Sequence, residues 1–304
     1  MMQDPQPDFQ PLPGKAEHLA PGLRRVLAGN PSPMTFRGTN TYLLGDHDLA
    51  IIDPGPTDPA HLTALLEAIG DAHVSAILVT HAHVDHSPLA SELSQRVDAP
   101  VYAFSDALGG RSPVMQRLAE SGLMRGGEGV DVAFQPDICL ADGDIVSGDG
   151  WSVKALHTPG HFGNHLGFQW EDVLFCGDLV MGWASSLVSP PDGDLTDFMA
   201  SCRRLQSQRW SVFHPGHGAP ITAPNERLDW LINHRLAREA AVLEALQSGP
   251  ATSGTLAARI YTDTPAALMP AAARNVLAHL IDLHGKNRVL PLGDLTADVQ
   301  FALA

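Results

Sequence analysis

Long apolar runs, cysteine pairs and positive charge are all scarce in this 304-residue chain. No stretch approaches the roughly 18 apolar residues of a membrane-spanning helix. The amino-terminal MMQDPQPDFQPLPGK has neither the charged start nor the apolar middle of an export signal. A cytoplasmic protein with no membrane partner is expected. Three cysteines, Cys139, Cys176 and Cys202, are odd in number and far apart, which argues against a disulfide framework and leaves them as small buried apolar residues. Basic residues number 19 against 34 acidic ones, for a net charge of −15. Residues 226–304 hold seven Lys and Arg against eight Asp and Glu, so nearly all of the negative charge lies in residues 1–225. Such a field repels a polyanion and disfavours long nucleic acid as a substrate, unless bound cations offset it.

What the chain does have is length for one large core and a small satellite, with 44% hydrophobic residues. Residues 1–20 are Pro-rich and polar and read as a loose arm or an edge segment. From Arg24 onward, short apolar runs bounded by Gly, Pro and Asp predict strands: TNTYLL, DLAIIDPG, SAILVT, PVYAF, WSVKAL, HLGFQW and VLFCGD. Helical stretches fall between or after them, at DPAHLTALLEAIG, SPLASELSQRVD and DLTDFMASCRRLQ. The alternation predicts a layered α/β body of sheets covered by helices over residues 1–225. Residues 226–304 differ. Leu228, Ile232, Leu236, Leu243 and Leu246 follow a helical period that Gly249-Pro250 stops. A shorter helix is predicted over about 252–261, and a third opens at Pro270 and ends at Gly285. The tail GKNRVLPLG offers a two-stranded wing, so a winged-helix-like appendage is expected.

The run HAHVDH at 81–86 follows the apolar SAILVT directly and packs three imidazoles and a carboxylate into six residues. Side chains two apart in an extended segment point the same way. His81 and His83 can therefore grip one ion while Asp85 and His86 face a neighbouring one, and zinc is the first candidate. Three further turns at strand ends carry ligand-type residues: HTPGH at 157–161, FCGD at 175–178 and HPGHG at 214–218. Eight of the 15 histidines lie in HAHVDH, in 157–165 and in HPGHG. One histidine alone is better explained as a hydrogen-bonded imidazole; the clustering favours metal.

With those residues in view, the chain resembles the metallo-β-lactamase superfamily over roughly residues 24–222: an early Asp, HxHxDH, a His after a Thr-Pro-Gly turn, a Gly-Asp and a late His occur in order. The resemblance implies a four-layer αββα sandwich with two metal ions at one edge. It implies that His81, His83 and His161 hold the first ion, that Asp85, His86 and His217 hold the second, and that Asp178 bridges both. Asp53 corresponds to the early Asp, which supports the site from behind; its other reading is a turn former before Pro54-Gly55. His157, His165 and His214 are left outside the ligand set, more simply explained by bonds to backbone groups. Two cations at the usual ~3.5–4 Å can share a hydroxide that attacks a carbonyl carbon or a phosphorus. A metal-bound water or Asp85 is then a candidate to protonate the leaving group. Two zinc ions are expected, with iron or manganese as the other choices.

The stretches NPSPMTFRGTNTYLL, SPPDGD, HRLAREAAVLEAL and ARNVLAHLIDLHGKNRV are similar to the β-lactamase-like protein 2 group and extend the resemblance to nearly the whole chain. That group includes a mitochondrial endoribonuclease for single-stranded RNA, while many bacterial members are named only as hydrolases. One departure matters: Ser87-Pro88-Leu89 stands where glyoxalase II-like thioesterases carry Gly-Gly, which weakens a direct glyoxalase II assignment. The predicted third helix of the appendage carries only Arg274 as a cation, and Arg274, Lys286 and Arg288 make a small patch. That charge favours packing, a homodimer contact or a pocket wall over nucleic-acid reading. The expected substrate is a small ester, thioester or lactone. Short single-stranded RNA is the alternative, and an iron-dependent binding or redox module comes third, disfavoured by the complete hydrolase ligand set. Residues 104–134 are placed to form a lid, with Gly38, Thr39 and Asn40 on the floor.

Overall fold

A computed structural model of the chain describes residues 4–122 and 129–304; part of the expected lid, residues 123–128, lies outside them. Seven strands lie side by side in chain order: β1 (Glu17–Ala20), β2 (Leu23–Leu27), β3 (Asn40–Leu44), β4 (Asp48–Ile52), β5 (His73–Leu78), β6 (Val101–Ala103) and β7 (Ile138–Cys139). The first four pair antiparallel. From β4 onward the pairing is parallel, which requires crossovers. α1 (Pro59–Ile69), α2 (Leu89–Val97) and α3 (Pro113–Glu120) lie in them. The arm expected over residues 1–20 ends as the edge strand of this sheet and is tied down before that: the Gln6 side chain accepts from the Ala219 amide, and the Phe9 carbonyl accepts from Arg37.

A second sheet is built from β8 (Ile145–Gly148), β9 (Trp151–His157), β10 (Leu166–Trp170), β11 (Val173–Gly177) and β12 (Val212–Pro215), in the order β12-β11-β10-β9-β8. β12 runs parallel to β11 after α4 (Leu195–Gln206) has crossed over. The two-residue period of the strands decides how the layers stack. On β3 and β4, Tyr42, Leu44, Ala50 and Ile52 point into the space between the sheets with Phe168 and Phe175. Their alternates Leu43, Leu49 and Ile51 point outward, onto Leu62 and Leu65 of α1 and Leu89 and Leu93 of α2. On the far side, Phe198, Cys202 and Leu205 of α4 cover Leu174, Cys176 and Phe213. The order is helix, sheet, sheet, helix, as expected. Cys176 and Cys202 are buried apolar residues as anticipated, whereas Cys139 sits exposed on the last, two-residue strand of the first sheet.

Beyond the sandwich come α5 (Pro224–Leu246), α6 (Ser253–Ile260) and α7 (Met269–Gly285), then β13 (Val289–Pro291) paired with β14 (Phe301–Leu303). The three helices match the periodicity except at Leu236, which is exposed. The wing differs from the expectation in its second strand, which is the FALA terminus rather than part of GKNRVLPLG; three residues are too few to show a strand period. α5 is shared between two cores. Leu228, Leu231 and Ile232 pack with the second sheet, and Val242 and Leu246 pack with Leu256, Val276, Leu280 and Phe301. Met115 and Leu118 of α3 join that carboxy-terminal core. Among the described residues no helix is long and apolar enough to cross a membrane.

Candidate metal centre

Parallel pairing of β4 with β5 and of β11 with β12 brings their carboxyl ends to one edge of the sandwich. The turns after four strands deliver the polar residues there. Asp53 follows β4, His81 to His86 follow β5, Asp178 follows β11 and His217 follows β12. His161 comes from the turn after β9, beside β10.

All seven residues expected as ligands meet. His83 Nδ1 lies 2.9 Å from His81 Nε2 and 3.2 Å from His161 Nε2. His217 Nε2 lies 3.0 Å from Asp85 Oδ2 and 3.3 Å from Asp178 Oδ2, and His86 Nε2 lies 3.6 Å from Asp178 Oδ1. Their potential ligand atoms form three overlapping groups: His81, His83 and His161; His81, His86 and Asp178; Asp85, His86 and His217. Asp178 stands between the two outer groups, with Oδ2 3.8 Å from His161 Nε2.

The outward-facing ring nitrogens fix the tautomers. His161 Nδ1 donates to the Leu187 carbonyl at 2.7 Å, and His217 Nδ1 donates to the Gly38 carbonyl at 3.1 Å. His86 Nδ1 donates to Asp53 Oδ2 at 2.8 Å. Thr80 Oγ1 gives its only proton to Asp53 Oδ2, so its contact with His81 Nδ1 at 2.9 Å has the imidazole donating. Each of these four rings therefore presents Nε2 inward, as a lone pair on His81 and His161 and as a nitrogen that a cation can take over from its proton on His86 and His217. His86 Nε2 and Asp178 Oδ1 are buried with no hydrogen-bond partner. Converging lone pairs and orphaned acceptors repel one another unless a cation lies among them, and carboxylate with imidazole is a donor set suited to zinc, manganese or iron. The residues fit the implied metal pair.

Electrostatics divides the cluster in two. Burial pushes His83 down to about 3 and holds His81 and His161 below the ordinary imidazole range, so this triad is neutral and ready to ligate. Burial acts on His86 and His217 in the same sense, but neighbouring carboxylates more than offset it. Asp85, Asp178 and Asp53 raise His86 well above its ordinary value, and Asp178 with Asp85 raises His217 to about 10. Asp85 and Asp178 lie well below the usual carboxylate range: burial alone would raise them, and His86 and His217 outweigh it. Two ionised carboxylates, Asp85 and Asp178, in so small a volume attract divalent cations.

Asp53 fills both of its expected roles. Its φ of 53° makes the turn after β4, and its carboxylate accepts from the Thr80 amide, the Thr80 hydroxyl and His86. The histidines left outside the ligand set stay outside. Only His157 makes the expected backbone bond, donating to the Gly163 carbonyl while it stacks on Phe104; His165 bonds the Thr158 hydroxyl instead, and His214 packs against Tyr42 and Phe175. Gly38 and Asn40 brace the site rather than line a floor. The Gly38 carbonyl orients His217, and Asn40 Nδ2 donates to the Pro215 and Gly218 carbonyls; Thr39 Oγ1 stands 3.4 Å from Asp85 Oδ2. The described ends of the expected lid are fastened around the donors, with Arg111 paired to Asp192 and Asp131 bonded to Ser87.

Three contributors escaped the sequence reading. Thr80 stands just before HAHVDH and had a positional signal. Gly216 lies inside HPGHG, where an added Cβ would meet Asp178 Oδ1 at 2.4 Å and His86 Cε1 at 2.5 Å. The Leu187 carbonyl left no trace in the sequence, because a backbone oxygen does not depend on residue type.

Comparison with known proteins bears on the whole chain. Residues 34–217 match the family described as metallo-beta-lactamase superfamily, and residues 252–297 match the beta-lactamase associated winged helix domain. The chain is 32% identical to a "Beta-lactamase-like protein 2 homolog" of Drosophila melanogaster, over 91% of this chain and 93% of that protein. It is also 32% identical to an "Atrochrysone carboxyl ACP thioesterase" of Aspergillus fumigatus, over 82% and 76% of the two chains. Among solved structures, a metallo-beta-lactamase family protein of Thermus thermophilus superposes with a TM-score of 0.76 at 27% identity, over 94% of this chain and 100% of that one.

Proposed function

This chain belongs to the metallo-β-lactamase superfamily, and on that footing we propose that it is a dinuclear-zinc hydrolase of a small ester, thioester or lactone. The observation that carries the reading is the meeting of seven donors in two groups of three around Asp178. His81, His83 and His161 would hold one cation, Asp85, His86 and His217 the other, and Asp178 both. When bound, the pair supplies Lewis acidity toward a carbonyl oxygen and lowers the pKa of water toward neutrality.

The chain's own groups do the rest. Leu187, Gly38, Thr80 and Asp53 fix the tautomers of His161, His217, His81 and His86, so each of these rings would offer Nε2 to a cation. Asp85 is the more exposed of the two catalytic carboxylates, with 21% of its side-chain surface accessible against 9% for Asp178. It is the group reachable by a leaving alkoxide or thiolate and, being ionised itself, the candidate to relay a proton to it from water.

Charge supports a small substrate over RNA. Lys286, one of three cations expected in a basic patch, is held 2.9 Å from Glu239 and 2.6 Å from Asp282. The thioesterase name of the Aspergillus relative supports an acyl substrate. Metal analysis of protein purified without added ions should return about two zinc per chain, and turnover should appear on a panel of thioesters, esters and lactones. Cleavage of short single-stranded RNA, falling steeply with salt, in the absence of any acyl turnover would replace this reading.

A further inference from the structure

Arg235 of α5 is 2% exposed, yet both of its hydrogen bonds go to neutral oxygens: Nη1 donates to Asn275 Oδ1 at 3.1 Å and Nη2 to the Ser186 carbonyl. Its Nε has no acceptor, and one face of the guanidinium lies over the Phe198 ring. A charge removed from water is costly unless it is paired, and among the described residues no carboxylate forms an ion pair with it.

Beside it is a cavity of about 70 Å³ between α4, α5 and α7, lined among others by Arg203, Arg235, Glu239, His279, Asp282 and Lys286. His279 is 1% exposed and both of its ring nitrogens lack partners. The two carboxylates are already engaged: Lys286 Nζ reaches both, and Thr196 Oγ1 donates to Asp282 at 2.7 Å. With three cations against two acids, the wall carries one uncompensated positive charge. The volume is about half of the ~150 Å³ that accepts a benzene ring, so an occupant has only a handful of non-hydrogen atoms.

We propose that this cavity binds a small monovalent anion, a halide or a short carboxylate, which neutralises Arg235 and accepts a hydrogen bond from His279. The cavity touches the metal centre through one loop. Arg235 holds the Ser186 carbonyl, Asn275 Oδ1 accepts from the Val188 amide, and the intervening Leu187 carbonyl orients His161.

The test is thermal unfolding of the full chain in a buffer whose only anion is a bulky sulfonate, titrated at constant ionic strength with chloride, bromide, formate or acetate. A saturable rise in Tm is expected for halides, for carboxylates or for both, and which series responds identifies the occupant. His279→Phe, which fills the space and removes the donor, should abolish the saturable rise. An equal response to the bulky sulfonate and the small anions is mere screening and overturns the proposal. Should His279→Phe fail to fold, crystals grown in bromide and in acetate decide: density for either anion in the cavity upholds the site, and water alone in both removes it.

Discussion

Asp53 Oδ2 accepts from His86 Nδ1 at 2.8 Å and from Thr80 Oγ1 at 2.8 Å, so one carboxylate sets two imidazoles, His86 directly and His81 through the threonine. The left-handed φ of 53° at Asp53 directs that carboxylate back under the motif, and Asp tolerates this conformation better than most residues. Asp53→Ala should lower metal affinity by roughly 10- to 100-fold, the usual loss for an outer partner of a ligand. Metal titration followed by dialysis would measure it; affinity equal to wild type would reduce Asp53 to a turn former.

Asp178→Ala removes the group placed between the two triads and leaves His86 with two of its three carboxylate neighbours and His217 with one of its two. Metal content and turnover should fall together, and by more than the Asp53 variant loses, while circular dichroism shows an unchanged fold. Full turnover in this variant would take Asp178 out of the site.

Gly216→Ala tests how closely the cluster is cradled. The new methyl would sit 2.4 Å from Asp178 Oδ1 and 2.5 Å from His86 Cε1, and buried side chains held by several bonds cannot yield cheaply. Turnover and metal retention should be lost, with a stability cost of about 1–3 kcal/mol typical of overpacking. Wild-type metal content would show that the turn relaxes.

Chelation should destabilise the fold reversibly. Asp53, Asp85 and Asp178 and five imidazoles face one another in a small volume, so a bound cation stabilises the native state, by about 2.7 kcal/mol when present at 100 times its dissociation constant. Calorimetry before and after exhaustive chelation, and again after zinc is restored, should show Tm falling and recovering.

Stability should decline on mild acidification for a reason separate from the metal. His61 donates Nε2–H to Thr41 Oγ1, which spends its own proton on the Asp53 carbonyl; burial pushes His61 down to about 4, and His214 is likewise pushed down to about 4. The unfolded chain takes up these protons near pH 6.5 and the folded one does not, so the contribution of these two residues falls as pH drops from 6.5 toward 4 and is constant below. Between pH 7 and 5 each residue should cost about 2 kcal/mol. Denaturant midpoints across that range should show the slope, and His61→Gln should make it shallower.

The sequence alone determined which residues are chemical. HAHVDH, HTPGH, FCGD and HPGHG carry all seven donors because metal ligands must be particular side chains at particular spacings, and such requirements leave a readable mark. It also determined the helices other than α3, which lies in the segment read as a lid, and most of the long strands, since burial on one face imposes a period. It did not reveal β1, β2, β7, β8, β12 or β14, which have two to five residues and too short a pattern to read. Tertiary structure alone decided how the imidazoles are aimed, because the Leu187 and Gly38 carbonyls that fix His161 and His217 belong to backbone any residue would supply. It alone revealed that Arg235 and His279, 44 positions apart on α5 and α7, face one small cavity with their charge and polarity unanswered. Spacing along a chain encodes what lies within one turn or strand; what meets across layers is set by how the cores pack.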